Sequence, residues 1–282
     1  ASAAGVLPQG ADLGICPEIA EPWNQLSEDD KALNRRTMEL YAAMTAHLDT
    51  EFGRLLSYLE EAGELDNTYI IYHNDNGPEG GDIFDHRAVL DRFDNSLENL
   101  GNRDSWVNLG QGWADAHSAP FRDQKSSPFE GGIRVPAFIS PPKSQTEGLI
   151  SGSLLTVMDV MPTIMELAGI EEGDYPGASG LLPIRGASFA PLLMDPDATI
   201  HSDDESIALD HAGLSYLLQG EWKILRLLGS DDWQLFNKAT DPNELEDLAQ
   251  LQPQKLAELV SDYEAHAAAT GIVRRADTDG TP

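Results

Sequence analysis

The chain has 282 residues, 41% of them hydrophobic and 23% charged, which is the composition of an ordinary globular protein. Its 18 basic residues face 48 acidic ones, and the formal net charge of −30 argues against nucleic acid and anionic membrane surfaces as partners. No apolar run is long enough to cross a membrane, and the single cysteine, Cys16, excludes an intrachain disulfide.

The first predicted element is a long amphipathic helix. Residues 1–23 are rich in glycine, proline and alanine and are interpreted as a connecting segment. Ser27, followed by three acidic residues, has the pattern of a helix N-cap, and Gly63 has the position of a C-terminal cap. Between them, larger side chains recur at spacings of three and four, which predicts one buried face: Met38, Tyr41, Thr45, Leu48, Phe52, Leu55 and Leu59.

Residues 65–77 form the most informative stretch. Residues 69–72 are β-branched or aromatic throughout, and this unbroken apolar run predicts a strand covered on both faces, as in a parallel sheet. Asp75, Asn76 and Gly77 follow it. Ligands of open α/β sheets bind beyond the carboxyl ends of strands, and carboxylate and amide oxygens suit Ca²⁺ or Mg²⁺. The same tripeptide is also typical of a plain turn, so both interpretations stay open at this point.

An insertion and a glycine pair follow the strand. Residues 81–119 form a long loop whose Trp106 and Trp113 either line a pocket or pin the loop to the body of the protein. Further on, Gly131 and Gly132 precede a predicted short strand over residues 135–139, where close backbone approach is expected. Lys125 precedes the pair in a polar loop, and a lone lysine in such a loop is typically solvated.

The remaining elements predict a change of architecture near residue 200. Pro162 and Gly169 bracket a short helix, Asp159 is interpreted as a cap, and Ser188 is the predicted N-cap of another short helix. Four short strands (206–209, 215–218, 222–228 and 233–236) and a helix over 252–269 then indicate an antiparallel α+β unit. We therefore predict an α/β portion over residues 1–200 and a small subdomain over 201–282.

Together these pieces resemble the sulfatases, specifically the bacterial arylsulfatases of the alkaline-phosphatase-like superfamily. The resemblance covers nearly the whole chain and is carried by residues 38–44, 53–56, 65–68, 74–77, 94–99, 130–136, 158–163, 220–223 and 233–237. It implies an α/β fold with an alkaline-phosphatase-like mixed sheet flanked by helices, followed by a smaller C-terminal antiparallel sheet and helix. It also implies hydrolysis of a small-molecule sulfate ester to inorganic sulfate and an alcohol or phenol.

The resemblance assigns roles to three residues. Asp75 and Asn76 correspond to ligands of the active-site Ca²⁺, a position at which Mg²⁺ is also possible. Lys125 corresponds to the catalytic lysine that binds the sulfate group. An ammonium group suits that role, because a sulfate ester gains charge on its oxygens as the bond breaks.

The sequence also departs from the family pattern. Sulfatases carry a nucleophile inside Cys-x-Pro-x-Arg, oxidised to formylglycine, and Cys16 is followed by Pro17-Glu18-Ile19 instead. The family's N-terminal Asp-Asp metal pair is also missing. We therefore interpret the chain as the C-terminal part of an arylsulfatase, expect the N-terminal half as its partner, and predict that the chain alone does not hydrolyse sulfate esters. A periplasmic or secreted location is favoured over a cytoplasmic one.

Two alternatives to an arylsulfatase remain open. Phosphoester or phosphonate hydrolases of the same superfamily have a similar layout but place His where this chain has Asn76, and imidazole suits zinc better than a hard cation. The second alternative is a non-catalytic, sulfatase-like remnant that binds an anion or a partner.

Overall fold

The structure is a computed structural model that describes residues 21–81, 92–142, 148–171, 173, 182–211 and 213–272. Cys16 and the tail over 276–282 lie outside these residues. The helices are α1 (Glu28–Glu61), α2 (Gln111–Ser118), α3 (Glu130–Ile133), α4 (Val160–Ala168) and α5 (Pro253–Thr270). The strands are β1 (Ile70–His73), β2 (Ala137–Ser140), β3 (Ser206–His211), β4 (Leu214–Gln219), β5 (Trp222–Arg226) and β6 (Gln234–Asn237). None of the described helices is long and apolar enough to cross a membrane.

Helix α1 begins and ends as its sequence predicts. The Ser27 hydroxyl accepts a hydrogen bond from the backbone N–H of Asp30, and Gly63 follows the helix with a φ of +74°. Its first turns contact the insertion, because the indole N–H of Trp113 donates to the carbonyl of Asn34 at 2.9 Å. Trp113 lies in helix α2, so the end of the predicted loop is helical, and its indole attaches this part of the insertion to α1. The later turns do not form the predicted buried face, because no described segment covers Leu48 and Leu55, and these two side chains and Tyr41 are exposed. We call the exposed apolar side chains of these turns the α1 stripe: Tyr41, Met44, Leu48, Leu55 and Tyr58.

The strand predicted before Asp75 is present, but its surroundings differ from the prediction. Strand β1 pairs with β2 in an antiparallel two-stranded sheet, with Ile71 opposite Ile139. Tyr72 stacks on Phe138, with ring centroids 5.2 Å apart, and both side chains are exposed. The strand is therefore not covered on both faces by the described residues. An apolar run indicates burial on both faces but does not say which segment provides the cover.

The C-terminal strands form one meander, in the order β3-β4-β5-β6, with every neighbour antiparallel. Successive side chains point to opposite faces, and both faces of this sheet carry buried apolar side chains. Helix α5 covers one face, over Leu217, Ile224 and Leu235. The other face carries Leu225 and Phe236, which pack on Phe129 from the segment before α3. The predicted small sheet thus lies between its own helix and the loop that follows Lys125.

Several boundaries and one cap differ from the sequence prediction. The glycine pair lies in the single turn α3, and the following strand begins at Ala137. Ser188 does not cap an α-helix: a 3₁₀ turn over Ala190–Leu193 begins after Phe189, and the Ser188 hydroxyl accepts the N–H of Ala190. Such turns and α-helices share their capping residues, so composition does not separate them.

Asp159 acts as a structural acceptor, in agreement with its interpretation as a cap. Its carboxylate accepts the backbone N–H groups of Thr156, at 2.6 Å, and Ala187, at 2.8 Å. The same carboxylate lies 3.0 Å from Nε2 of His201, whose Nδ1 lies 3.0 Å from Glu205. Burial alone would lower the pKa of His201, but the hydrogen bonds and charges of the two carboxylates outweigh it and raise that pKa.

The raised pKa of His201 predicts a pH-dependent stability. Because the folded protein binds this proton more tightly than the unfolded chain, the stabilisation is full below the ordinary histidine pKa of about 6.5. It is lost as pH rises above that value and through the pKa of the folded state. Replacing His201 by Gln should remove this loss of stability, measured as the free energy of unfolding from chemical denaturation curves recorded between about pH 6 and about pH 8. His117, a solvent-exposed histidine on α2, provides the matched control, and an unchanged pH profile in His201→Gln would contradict the prediction.

Candidate active site

The turn after β1 carries the two predicted cation ligands. The side chain of Asp75 is exposed and that of Asn76 is partly buried. The Asn76 amide nitrogen donates to the carbonyl of Gly77 at 2.8 Å. This bond uses the nitrogen of the amide and not its oxygen, which is the atom that binds a hard cation.

The Asp75 turn and the Lys125 region lie side by side. The N–H of Gly77 donates to the carbonyl of Gly132 at 2.9 Å, and the N–H of Lys125 donates to the carbonyl of Pro78 at 3.0 Å. The approach is close enough to require glycine, because a Cβ on Gly77 would lie 2.0 Å from the carbonyl oxygen of Gly131. The structure thus brings together the two segments that the sequence marked separately.

Lys125 lies in a tight loop over residues 122–130, called here the lysine loop. The loop is closed at its base, where the N–H of Gly131 donates to the carbonyl of Arg122 at 2.8 Å. Asp123 and Ser126, on either side of the lysine, have φ values of +67° and +66°. The Lys125 ammonium lies 2.9 Å from a carboxylate oxygen of Glu79, and the two side chains are 40% and 45% exposed. The ammonium group is thus directed toward the segment that follows Asp75.

The donor set of the Asp75 turn suits a hard cation but is small. Ca²⁺ takes six to eight oxygen ligands in proteins. Asp75 and Asn76 supply one carboxylate and one amide oxygen, which are ligand groups of the right kind. Within the described residues, no group of three or more His, Cys, Asp or Glu side chains lies close enough to hold a metal. In the part of the chain that the structure describes, these two side chains alone are too few to complete the coordination of such an ion.

A buried ion cluster lies directly behind the lysine loop. The Lys223 ammonium on β5, which is fully buried, contacts Glu130 at 3.0 Å and Glu244 at 2.5 Å. Burial alone would lower the pKa of Lys223, but the two carboxylates outweigh it and raise that pKa. Burial opposes ionisation of Glu130, but the charges of Lys223, Lys238 and Arg134 lower its pKa to about 2. The pKa of Glu244 is raised, chiefly by burial.

Sequence reasoning missed this cluster. Glu130 is 93 residues from Lys223, so no local spacing links them. One signal was present: Lys223 interrupts the apolar strand Trp222–Arg226. A charge in a strand that is buried on both faces needs a partner of opposite sign, but the strand does not say which one.

The comparison with known families decides the identity. Residues 15–170, more than half of the chain, match the sequence profile of the sulfatase family. This chain belongs to the sulfatase family. The sulfatase chain is 35% identical over 286 residues to an uncharacterized sulfatase of Schizosaccharomyces pombe, covering 94% of this chain and 51% of that protein. It is 31% identical over 179 residues to an arylsulfatase of Klebsiella aerogenes, covering 62% of this chain and 39% of that enzyme.

Solved structures confirm the fold class. A putative sulfatase from Bacteroides fragilis superimposes on 96% of this sulfatase chain and 52% of its own, with a TM-score of 0.53 and 15% identity. The alkaline-phosphatase-like α/β class, with an antiparallel C-terminal sheet and helix, is thus confirmed. The sulfatase chain spans about half the length of the S. pombe relative and less of the K. aerogenes enzyme.

Proposed function

We propose that this sulfatase chain is the C-terminal part of an enzyme that hydrolyses sulfate esters, with aryl sulfates as the substrate class. The observation that carries the proposal is the pairing of the lysine loop with the Asp75 turn through the Gly77–Gly132 and Lys125–Pro78 hydrogen bonds. As a result of this pairing, the cationic side chain of Lys125 and the oxygen-bearing side chains of Asp75 and Asn76 lie on neighbouring segments. The relatedness to the K. aerogenes arylsulfatase supports the aryl class.

The chemistry of each residue fits that reaction. The Lys125 ammonium would bind the sulfate group and stabilise charge on its oxygens as the ester bond breaks. Its present partner Glu79 is half exposed, so the ammonium can exchange that carboxylate for a sulfate oxygen at small cost. Asp75 and Asn76 would hold a Ca²⁺ or Mg²⁺ ion, which when bound supplies a second positive charge for the sulfate. The nucleophile, a formylglycine, would come from the N-terminal half.

The apolar surface of α1 supports the proposed partner. The α1 stripe and the Tyr72–Phe138 stack together expose seven large apolar side chains. Exposed apolar patches of this kind usually mark a contact surface. We propose that the N-terminal half of the same enzyme covers them. The division of the chain near residue 200 and a periplasmic or secreted location are likewise proposals.

A phosphoester hydrolase is the second candidate. Asn76 favours the sulfatase, since an amide oxygen suits a single hard cation and an imidazole at that position would suit zinc. A non-catalytic remnant is the third candidate, and it differs from the other two in predicting no turnover.

Replacing Asp75 by Ala in the complete enzyme tests the proposal. Because the change removes one charged cation ligand, we expect loss of bound Ca²⁺, loss of aryl sulfate hydrolysis and lower stability together. Metal content, turnover of an aryl sulfate and of the matching aryl phosphate, and thermal unfolding are measured on the same preparations.

Asp66→Ala is the matched control, because Asp66 is another exposed aspartate nine residues earlier in the chain. It should keep the metal and the activity. Normal metal content and turnover in Asp75→Ala would remove Asp75 from the site. If the wild-type enzyme cleaves only the aryl phosphate, the phosphoester hydrolase is favoured. If it cleaves neither ester, the non-catalytic remnant is favoured.

A further inference from the structure

Glu244 contacts both ends of the lysine loop. One of its carboxylate oxygens, Oε2, accepts the backbone N–H of Glu130 at 2.6 Å, and its backbone carbonyl accepts a guanidinium N–H of Arg122 at 3.0 Å. Arg122 and Glu130 are the first and last residues of that loop. A single residue from the C-terminal region thus spans the base of the loop that presents Lys125.

Glu244 is itself held firmly. It is fully buried, and its second oxygen, Oε1, lies 2.5 Å from the Lys223 ammonium, which also contacts Glu130. The guanidinium of Arg122 lies over the ring of Phe129, 4.0 Å from its centroid. Glu244 has a φ of +56°, a conformation that is uncommon for a residue with a side chain and persists where surrounding contacts fix it. Side chain, backbone and neighbours therefore fix Glu244 in one geometry.

The base of the loop determines where the lysine points. Between Arg122 and Glu130 only a few residues separate Lys125 from either end, and the Lys125 N–H is bonded to Pro78 in the segment after the Asp75 turn. A shift at the base would therefore move the ammonium relative to that turn. We propose that Glu244 is a positioning residue for the reaction: it holds the base of the lysine loop so that the Lys125 ammonium faces the substrate. This inference rests on the proposed function of Lys125.

A positioning role predicts a particular kinetic signature. Glu244 is buried behind the loop and belongs to neither group of residues assigned to the cation or the sulfate. Without the Glu244 carboxylate the enzyme still has the Lys125 ammonium group, but that group occupies a broader range of positions. Because orientation counts most in the transition state, kcat should fall more than KM rises, and misplacement of this kind costs up to about 100-fold.

Glu244→Gln in the complete enzyme is the test. The side chain keeps its size, but an NH2 group replaces one of the two carboxylate oxygens, so that position no longer accepts from the Glu130 N–H or contacts the Lys223 ammonium as an anion. We expect kcat to fall by about 10- to 100-fold. We also expect the amides of Lys125 and Gly131 to exchange with solvent about tenfold faster or more, as loss of one charge-assisted hydrogen bond implies.

Tyr263→Phe is the matched control. Tyr263 is fully buried in the same C-terminal region, and its hydroxyl donates to Asp210, away from the lysine loop. It should lose stability while leaving kcat and loop exchange near wild type. If Glu244→Gln is too unstable to purify, Arg122→Met removes the contact at the other end of the loop and should give the same signature.

The possible results separate the two proposals. The role of Glu244 would be overturned if Glu244→Gln and Tyr263→Phe, at equal stability, had the same kcat and the same rates of amide hydrogen exchange in the lysine loop. This holds even if Lys125→Ala is inactive. Conversely, a Lys125→Ala enzyme with normal kcat would refute the proposed role of Lys125 and, with it, any catalytic role for Glu244. Faster loop exchange together with lower kcat, and a near-normal KM, supports both.

Discussion

Replacing Lys125 by Ala in the complete enzyme is expected to lower kcat by about 10²- to 10³-fold, with a smaller change in KM. The ground-state sulfate ester carries one negative charge, whereas the departing group and the leaving oxygen gain charge as the bond stretches. An ammonium fixed beside those oxygens binds the transition state more tightly than the substrate, and only that difference accelerates the reaction. The surrounding loop supports the assignment, since it fixes the Lys125 backbone through Pro78.

Steady-state kinetics with an aryl sulfate measure this effect. Lys255→Ala is the matched control, because Lys255 also forms an ion pair, with Glu258 at 2.8 Å, on the surface of α5. A partly exposed pair of this kind contributes about 1 kcal/mol or less to stability. The control should therefore leave both kinetic constants unchanged. A Lys125→Ala enzyme whose kcat stays within about twofold of wild type would show that Lys125 is a solvated surface lysine.

Replacing Lys223 by Met is expected to produce the largest loss of stability, about 3–5 kcal/mol. Methionine fills a similar volume but leaves the carboxylates of Glu130 and Glu244 buried without the ammonium between them. One or both must then take up a proton, or the cluster must open to water. Urea unfolding of wild type and variant at pH 7 measures the difference in free energy of unfolding.

The pH dependence of that difference identifies its cause. In the wild type the pKa of Glu130 is lowered to about 2, so its contribution is lost only as pH falls from the ordinary glutamate value toward 2. In Lys223→Met the pKa values of the two carboxyl groups should rise, and a protonated carboxyl group costs less free energy to bury than a carboxylate. The destabilisation should therefore shrink between about pH 7 and pH 5. Lys255→Met should show no such dependence, and a pH-independent loss in Lys223→Met would indicate a packing defect instead.

The elements that the sequence predicts well are those with a local cause. Helices α1 and α5, the Ser27 cap and the four C-terminal strands are each indicated by patterns that extend over only a few neighbouring residues. The Asp75 turn was placed correctly after its strand for the same reason. Its role as a metal site stays a prediction, because coordination depends on ligands from several segments.

The parts that the sequence did not predict depend on distant contacts. The apolar run of β1 predicts burial on both faces, yet Tyr72 is exposed among the described residues, since cover for a strand comes from elsewhere in the chain. Glu244 gave no signal at all. Its importance comes from a backbone conformation and two partners, Arg122 and Glu130, that lie 122 and 114 residues away.

The long reach of the Lys223–Glu130 contact has a consequence for biosynthesis. Ribosomes add residues from the N-terminus at about 5–20 per second, so the 93 residues between Glu130 and Lys223 take roughly 5–20 s to make. During that interval the nascent chain already contains Lys125 but not the strand that fixes the base of its loop. A strand made later than the lysine loop thus helps to set the geometry of that loop, so the loop reaches its final arrangement only after Lys223 has left the ribosome.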